Sequence, residues 1–451
     1  MPSEQTSYGW LNGWDAERMN RYRAYLDFYQ GEQWSERRRA GETRLTVNYA
    51  RALVRKGASY LMPRPVSFNV LGPDGSDATV QRAEAALRRA QAANDLQALD
   101  LQSAIDSAVL GDGAFKVTWD ERLGRPVVAA VDPQRLWAWW RPDNPRELTR
   151  VIHRYELTPD EAGRVFGIAP LGESAKVAVV EEWRTESYRI EVAGRRMRDG
   201  ENPYGWIPYL IYPNLARPHE FWGASDLEDL LDICRELNRR MTTVSRILQV
   251  AGYPITVLEN VTGSEGIRVD AGAVWELPEA SRAYLLDMLQ GGGVRLHIDF
   301  IELLYRQLHD LSETPRTAFG DGGRALSGVA LEVEIQPLVQ KVMRKRRIWD
   351  GVYRQRNALL LDLLERFGGL ELDGLRETET IWGEVLPSDR EALARTEASL
   401  VATQIHSHRD ALTALGDPDP AAAWQRTLEE LRQLAKFGSP SSVPAGDGVK
   451  G

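Results

Sequence analysis

A glycine-rich stretch is the first place where the residue types suggest chemistry. The sequence FGDGGRALSGVALE, residues 319–332, carries one arginine and runs into a helical pattern, as phosphate-binding loops do. A P-loop needs GxxxxGK[ST], however, and no lysine follows a glycine anywhere in the chain. GDGGRA, residues 320–325, resembles GxGxxA, but that motif needs a preceding strand and a helical pattern precedes it here. The stretch therefore indicates a flexible helix–helix connector, with Ser327 capping the next helix.

Carboxylates and histidines are the next candidates, as ligands of a metal ion. The acids Asp226, Glu228, Asp229 and Asp232 could suggest two-metal phosphoryl chemistry. A solvated first turn of a helix explains them better, because the helix dipole favours anions there. His406 and His408 would lie about 200° apart on a helix with no third ligand nearby, so we predict a solvent-exposed pair beside a helix start.

Nucleophilic chemistry has little support in the sequence. The single cysteine, Cys234, lies on an apolar helical stripe, which predicts a core position. We find no Ser-His-Asp or Cys-His arrangement with motif support. We therefore predict no catalytic residue, no metal and no cofactor.

Positive charge is concentrated in KVMRKRRIWDGVYRQR, residues 341–356. One interpretation is a solvated helix face. The other is salt bridging to a neighbouring subunit, or a surface near DNA phosphates. The excess of acidic residues elsewhere favours the neighbouring subunit. The basic residues are Lys341, Arg344, Lys345, Arg346, Arg347, Arg354 and Arg356.

Composition restricts the class of protein. The 451 residues are 43% hydrophobic, enough for about two to four domains or subdomains. The net charge of −9 is opposite in sign to that of a strongly basic nucleic-acid binder, so DNA contact should be local or weak. One cysteine excludes an intrachain disulfide. The sequence contains no run of about 18 apolar residues, so no helix is predicted to span a membrane. The first residues, MPSEQTSYGW, lack the features of a signal peptide. We therefore expect the chain to fold inside a cell.

The periodicities predict an α+β protein that is mainly α-helical. Helical patterns occupy residues 15–29, 47–61, 78–93 and 96–110, with VSFNV as a short strand between the second and third. Beyond residue 113 the period falls to two, in FKVTW, PVVAAV, RVIHRYEL, KVAVVEEW and YRIEV, which predicts a β-rich subdomain ending near Pro213.

The second half is organised around long helices. Residues 226–251 and 298–312 carry apolar stripes, and residues 252–297 between them contain the strand-like PITVLEN and AGAVWELP. In the first helix the acids come early and the arginines later, which suits the helix dipole. A further helical pattern runs from Ser327 to Phe367, and Pro337 should kink it.

The end of the chain reads as helical. SDRE at 388–391 matches a capping box, SHRD at 407–410 is a weaker version, and Pro420 suits a first helical position. The tail after residue 438 is predicted to be disordered.

Four stretches, in this order, resemble the portal proteins of tailed double-stranded DNA bacteriophages, over about residues 20–435. They are YLDFYQGEQW with RLTVNYARALVRKGASYLMPRPVSFNV; GASDLEDLLDICRELNRRMT; ETPRTAFGDGGRALSGVALE; and WGEVLPSDREALARTEASLVATQIHSHRDALTALGDPDP. The resemblance implies a portal fold that assembles as a ring. Its regions would be an N-terminal tail (1–14), an α+β wing (15–225), stem helices (226–251 and 298–312), a clip (252–297), a tunnel loop (313–327), a long kinked wing helix and return (328–387), a helical crown (388–437) and a disordered tail (438–451).

The same resemblance implies which residues matter. Arg324 would be one cationic DNA contact per subunit, within a loop whose glycines allow many conformations. The implied residues are Thr317, Phe319, Gly320, Asp321, Gly322, Gly323 and Arg324 in the DNA-facing loop; Arg235, Arg239, Arg240 and Arg246 in the stem; Lys341, Arg344, Lys345, Arg346 and Arg347 between subunits or near DNA; and Glu259, Arg268 and Glu276 in the clip.

The function implied is structural, with no catalysis. Portal proteins form rings, usually dodecamers, at one capsid vertex, through which the terminase motor packages the genome and DNA later exits. The implied partners are further copies of the chain, non-specifically bound DNA, the large terminase subunit, the major capsid protein, the scaffold and a head-completion or adaptor protein. No membrane is implied, and the expected location is the virion, with the host cytoplasm during assembly.

Two other functions compete with this one. The first is another head–tail connector or ring-forming structural protein, although adaptors are normally much shorter. The second is a DNA-packaging enzyme, such as a nuclease or ATPase, against which the missing Walker lysine argues.

Overall fold

The computed structural model of the chain divides into two compact units. The first comprises residues 1–61 and 70–378, and the second residues 62–69 and 379–451. Helices hold 52% and strands 21% of the described residues, which confirms a mainly helical α+β protein. The structure describes residues 8–38, 40, 42–72, 78–167, 176–251, 255–260, 279–286, 293–320, 328–386, 390–417 and 420–437.

The helical part of the first unit surrounds an aromatic and aliphatic core. Its first helices are α1 (Ala16–Gln30), α2 (Tyr49–Leu61), α3 (Ala78–Ala93) and α4 (Leu96–Leu110), within two residues of the predicted bounds. Side chains of α1, α2 and α4 pack together in one cluster. Cys234 is buried in that cluster, as its position on an apolar stripe predicts.

Two antiparallel sheets form the β-rich part of the first unit. One has the order β3-β2-β9 and the other the order β4-β5-β6-β7-β8, and the short helix α5 (Pro159–Phe166) follows β5. The strands are β2 (Asp112–Asp120), β3 (Arg125–Ala130), β4 (Leu136–Arg141), β5 (Asn144–Leu157), β6 (Val177–Arg184), β7 (Ser187–Val192), β8 (Arg195–Glu201) and β9 (Tyr209–Pro213).

Strands β4, β8 and β9 were absent from the sequence prediction for different physical reasons. Every residue of β8 is exposed, so it has no alternation of polar and apolar residues, and its pairing with β7 defines it. In β4 and β9 apolar side chains are buried at consecutive positions, which also removes a period of two.

The first residues that the structure describes, which belong to the predicted N-terminal tail at 1–14, pack on the five-stranded sheet. A 3-10 turn at Gly9–Asn12 lies on the five-stranded sheet, where Leu11 is buried with Trp137 and Ile152. The Tyr8 hydroxyl donates a hydrogen bond of 2.6 Å to Glu182.

Two long helices and a strand pair form a structure that we call the arm. Helix α6 (Leu231–Ala251) and helix α7 (Gly293–Leu311) pack against each other, and β10 (Ile255–Glu259) pairs antiparallel with β11 (Arg282–Leu286) between them in sequence. The prediction of a helix start at Asp226 is wrong, because a 3-10 turn at Glu228–Leu230 precedes α6. Helix α7 begins five residues before the predicted start, and AGAVWELP lies outside the described residues.

A long helix ends the helical part of the first unit. Helix α8 (Gly328–Arg366) has 39 residues and continues through Pro337, close to the predicted bounds. It packs on α2, α3 and strands of the three-stranded sheet.

The second unit contains three helices and most of a two-stranded sheet. The sheet pairs β1 (Ser67–Val70) with β12 (Thr378–Ile381), and the helices are α9 (Arg390–Ala402), α10 (His408–Ala414) and α11 (Pro420–Phe437). The capping box of Ser407 with Asp410 is present, and Pro420 opens a helix, which confirms both predictions. The capping box at Ser388 and the tail from 438 lie outside the described residues.

Candidate functional site at the base of the arm

A buried carboxylate between two lysines lies at the base of the arm. One oxygen of Asp226 lies 2.6 Å from the Lys345 ammonium and 3.5 Å from that of Lys341. The Asp226 side chain is only 5% exposed, and both lysines are buried. We call Asp226, Lys341 and Lys345 the base triad. It joins the chain that enters α6 to the middle of α8.

Hydrogen bonds from neighbouring backbone and side-chain groups fix the position of Asp226. The amide of Asp226 donates a hydrogen bond of 2.9 Å to the carbonyl of Ala108, at the end of α4. Its second carboxylate oxygen accepts a hydrogen bond of 3.1 Å from the buried Asn214 amide. The Ser225 hydroxyl also donates to the carbonyl of Ala108. The triad is therefore built into the first unit and is not a surface ion pair.

Burial and charge act in opposite directions on the triad. Burial alone would raise the pKa of Asp226, but the ammonium groups of Lys341 and Lys345 outweigh it and hold that pKa well below its usual range. Burial lowers the pKa of Lys345 to about 8, against the opposing effect of Asp226. Asp226 and Lys345 are therefore both charged at neutral pH.

The depressed pKa of Asp226 predicts a specific loss of stability in acid. A carboxylate of this kind stabilises the fold above its unfolded pKa, and that contribution is lost as the pH falls towards the folded pKa. We expect the stability difference between the wild type and Asp226→Asn to shrink by about 1 kcal/mol from pH 7 to pH ~3. Urea denaturation of both proteins at each pH measures it, and a constant difference would contradict the assignment.

The chain that leaves α7 is also anchored at the triad. The Lys341 ammonium donates a hydrogen bond of 3.1 Å to the carbonyl of Ser312, which also accepts one of 3.0 Å from the Thr314 hydroxyl. The Nδ1 atom of His309 lies 2.6 Å from the carbonyl of Thr314. Ser312, Thr314 and His309 are all buried. The turn after α7 is therefore a folded part of the first unit.

The first half of the predicted tunnel loop follows this turn. Arg316–Phe319 forms a 3-10 turn, which contains Thr317, and Gly320 ends it with φ 87°, a conformation that favours glycine. The Phe319 ring lies 5.9 Å from the His309 ring and 5.2 Å from the Lys56 ammonium. Asp321, Gly322, Gly323 and Arg324 lie outside the described residues.

The structure corrects the interpretation of the basic run. Lys341, Lys345 and Arg346 are buried within the subunit, whereas both a solvated face and a contact with another molecule need accessible side chains. Arg346 lies 3.4 Å from the carbonyl of Leu61. Arg344 is exposed and pairs with Glu313 at 2.6 Å. An outward role stays a prediction for Arg344 and Arg347.

Arg356, in the same run, is buried against α4. Its guanidinium forms a two-point ion pair with Asp100, with one distance of 2.9 Å, and it lies over the Phe115 ring. The basic run therefore contributes mainly to the internal packing of α8.

The acids Asp226, Glu228, Asp229 and Asp232 do not form one solvated turn of a helix. The prediction of a solvated position is wrong for Asp226, which is buried. Glu228 accepts two hydrogen bonds from Arg217, at 2.7 and 2.8 Å. Asp232 is 95% exposed and pairs with Arg235 at 3.0 Å. Among the residues that the structure describes, no group of three or more His, Cys, Asp or Glu could hold a metal ion.

Arginines along the arm lie beside carboxylates of the same helix. In α6 the pairs are Arg235 with Asp232, and Arg239 and Arg240 with Glu236. In α7 the pairs are Arg295 with Asp299 and Arg306 with Glu302. Arg246 is exposed on α6. The last turn of α6 has no basic residue. The arginines of α6 therefore lie beside carboxylates within the helix, and not at the end where the helix dipole favours cations.

The β10–β11 pair carries the one predicted clip residue that the structure describes. Glu259 ends β10 and accepts a hydrogen bond of 3.1 Å from the Tyr284 hydroxyl on β11. Both side chains are exposed. The other two, Arg268 and Glu276, lie outside the described residues.

Helix α7 has two apolar faces, and one of them is exposed. Leu304 and Leu308 belong to the buried core. A second stripe, which we call the α7 stripe, consists of Leu296, Phe300, Leu303 and Leu311, with exposed fractions of 72%, 38%, 48% and 53%. Their spacing of four, three and eight residues places them along one side of the helix. Contiguous exposed apolar surface is a common feature of interaction sites.

The predicted exposed histidine pair is partly engaged in the second unit. The Nδ1 atom of His406 lies 2.8 Å from Glu397, whose side chain is buried. His408 is exposed, and its ring stacks on Trp424 with 4.2 Å between centroids. The prediction of a solvent-exposed pair is therefore confirmed for His408, while the His406 side chain is 38% exposed and contacts Glu397.

The sequence interpretation missed the turn formed by Ser312, Thr314 and His309. A signal for the buried lysines was present, because Lys341 and Lys345 are in helical phase with the buried Leu338 and Trp349. Lysines in such a phase are either buried with a partner or extend along apolar surface. The partner at Asp226 is more than a hundred residues away in sequence, so spacing alone does not identify it.

Comparison with known families covers nearly the whole chain. A family model described as Phage portal protein, SPP1 Gp6-like, matches residues 10–436. No curated protein matches the chain. No helix among the described residues combines the length and apolar character needed to cross a membrane. The matched range includes the arm, the base triad and α8.

Proposed function

The chain belongs to the phage portal protein family, whose members are structural, oligomeric components of the phage capsid, and we propose that it forms a closed ring around a DNA channel at one capsid vertex. In this proposal the ring is a dodecamer, the terminase motor packages the genome through it, and the DNA later leaves by the same route. Its chemistry is that of an assembly and a conduit, without catalysis.

The observation that carries the proposal is the α7 stripe on an arm that the family match includes. A soluble chain rarely leaves four large apolar side chains exposed along one helix. In a ring each subunit presents one surface to one neighbour and a different surface to the other. We propose that the α7 stripe is one of these surfaces and packs against the arm of the next subunit.

The charge distribution suits a channel through which DNA must slide. Strong phosphate binding would hold the duplex in place and slow its passage. The net charge is −9, and the arm arginines Arg235, Arg239 and Arg240 lie beside carboxylates of their own helix. Such pairs weaken the attraction of each arginine for a phosphate. We therefore propose that the channel holds DNA weakly and without sequence preference.

The other parts take roles consistent with this arrangement. We propose that residues 313–327 face the DNA, with Arg324 as one cationic contact per subunit, and that the β10–β11 end of the arm binds the large terminase subunit and later a head-completion or adaptor protein. The major capsid protein and the scaffold would contact the outside of the ring during assembly in the host cytoplasm.

Electron microscopy of the purified protein tests the proposal directly. We expect negative-stain averages, viewed down the axis, to show rings of one size with a central hole wide enough for a DNA duplex. A monomer or dimer would call for a second experiment with the scaffold and capsid proteins added. If no ring forms in either experiment, the proposal is wrong.

A further inference from the structure

We infer that Lys341 is a positioning residue that holds Ser312–Phe319 against α8. The ammonium lies at the meeting point of three segments: the entry into α6, the exit from α7 and the middle of α8. It lies 3.5 Å from the carboxylate of Asp226 and 3.1 Å from the carbonyl of Ser312.

The hydrogen bonds beyond Ser312 extend this anchor along the chain. The carbonyl of Ser312 accepts from both Lys341 and the Thr314 hydroxyl. The amide of Thr314 in turn donates to the carbonyl of His309, at 3.2 Å. Because these groups are buried, separating any of them from its partner leaves a polar atom away from water. Movement of the turn therefore requires loss of the Lys341 hydrogen bond.

Two neighbouring basic residues are less suited to this task. Lys345 donates to Asp226 at 2.6 Å, so it secures the α6 side of the base. Arg344 pairs with Glu313, but both side chains are exposed, and exposed ion pairs contribute little to stability. Lys341 is thus the residue of this group that reaches the α7 exit from within the core.

A fixed turn has a consequence for the channel, and this step rests on the proposed function. If residues 313–327 face the DNA, a rigid first half transmits a push on the loop to the base triad and α8. A loosened first half would absorb the same push locally. Lys341 would then affect how DNA is held or moved without taking part in ring assembly.

Hydrogen exchange measured on the full-length protein tests the positioning role. We expect Lys341→Met to speed amide exchange in residues 312–319 by at least about 10-fold, because a buried charged hydrogen bond limits local opening. Lys345→Met is the decisive comparison, since it removes the other lysine from the same base but keeps the donor to Ser312. It should speed exchange in this segment clearly less than Lys341→Met does. Arg344→Met, one turn away, should change it less than about 2-fold.

Several outcomes would overturn the inference. Equal exchange in this segment for Lys341→Met and the wild type would do so, as would an equal increase for Lys345→Met. If Lys341→Met does not fold, Thr314→Val removes the second donor to Ser312 and should speed exchange there by about 3-fold; no change would again contradict the anchor.

DNA packaging into capsids is a separate readout for the step that rests on the proposed function. Lys341→Met rings are expected to assemble normally but to package or retain DNA several-fold less well than wild-type rings. Faster exchange combined with normal packaging would retain the anchor and remove its role in DNA handling. Failure of the wild type to form rings would count against the proposed function and leave the exchange result unaffected.

Discussion

Replacement of Asp226 by asparagine should lower the free energy of unfolding by about 4 kcal/mol, because it leaves two buried ammonium groups without their carboxylate. The substitution keeps the size of the side chain, so loss of packing is minor. Asp226 lies 2.6 Å from Lys345 and 3.5 Å from Lys341. Urea denaturation followed by tryptophan fluorescence, with all variants at one protein concentration, measures the change.

Asp232→Asn is the matched control for this experiment. It is the same substitution six residues later, at a side chain that is 95% exposed, and it should change stability by less than about 0.5 kcal/mol. A second comparison isolates the electrostatic cause. Lys345→Met should cost less in the Asp226→Asn protein than in the wild type, since it then removes an uncompensated charge. Equal effects of the two asparagine variants would show that the triad does not stabilise the fold.

The second large effect is expected on assembly. The double variant Leu296→Glu, Leu303→Glu should abolish rings, because it places two charges in the α7 stripe, where a neighbouring subunit would have to bury them unpaired. The two side chains are 72% and 48% exposed in the single chain. The fold of the subunit should therefore change in stability by less than about 1 kcal/mol.

Leu123→Glu provides a control of equal exposure. Leu123 is also 48% exposed but lies in the turn between β2 and β3, away from the arm in sequence. Size-exclusion chromatography with light scattering, followed by negative-stain microscopy, should show rings for this control and subunits for the double variant. Rings in the double variant at the wild-type frequency would exclude the α7 stripe as a subunit contact.

Periodicity in the sequence was sufficient to predict most of the helices. Helices α1 to α4 lie within two residues of their predicted bounds, and α8 within one. Helices can be predicted in this way because their hydrogen bonds join residues four apart in sequence, and because the spacing of their apolar residues indicates which face is buried. Strands β2, β3, β5, β6 and β7 were found from a period of two in their sequences, which is also a local signal. Their burial alternates in β3 and in the first half of β6.

The four stretches that resemble portal proteins also identified the family, and the match to residues 10–436 confirms it. That information depends on residue identity at many positions and does not require knowledge of contacts. It identified a structural portal protein, whereas none of the isolated candidates for metal or nucleophilic chemistry pointed to a function.

Only the tertiary structure decided which charges are internal. Asp226 precedes a helix and looks like a helix-start acid, yet its partners Lys341 and Lys345 come from α8. Pairing of this kind depends on how the segment before α6 is placed against α8, which periodicity does not encode. The same holds for Arg356 with Asp100, and for the turn in which Ser312 meets Lys341.

The exposure of the α7 stripe was likewise decided in three dimensions. The sequence of α7 shows apolar residues around much of the helix, and a single chain can bury only the side that meets α6 and the core. Burial of Leu304 and Leu308 accounts for one side, and Leu296, Phe300, Leu303 and Leu311 stay exposed on another. The sequence shows which residues are apolar. The packing of the neighbouring helices determines whether an apolar residue is covered within the subunit or left exposed for a partner.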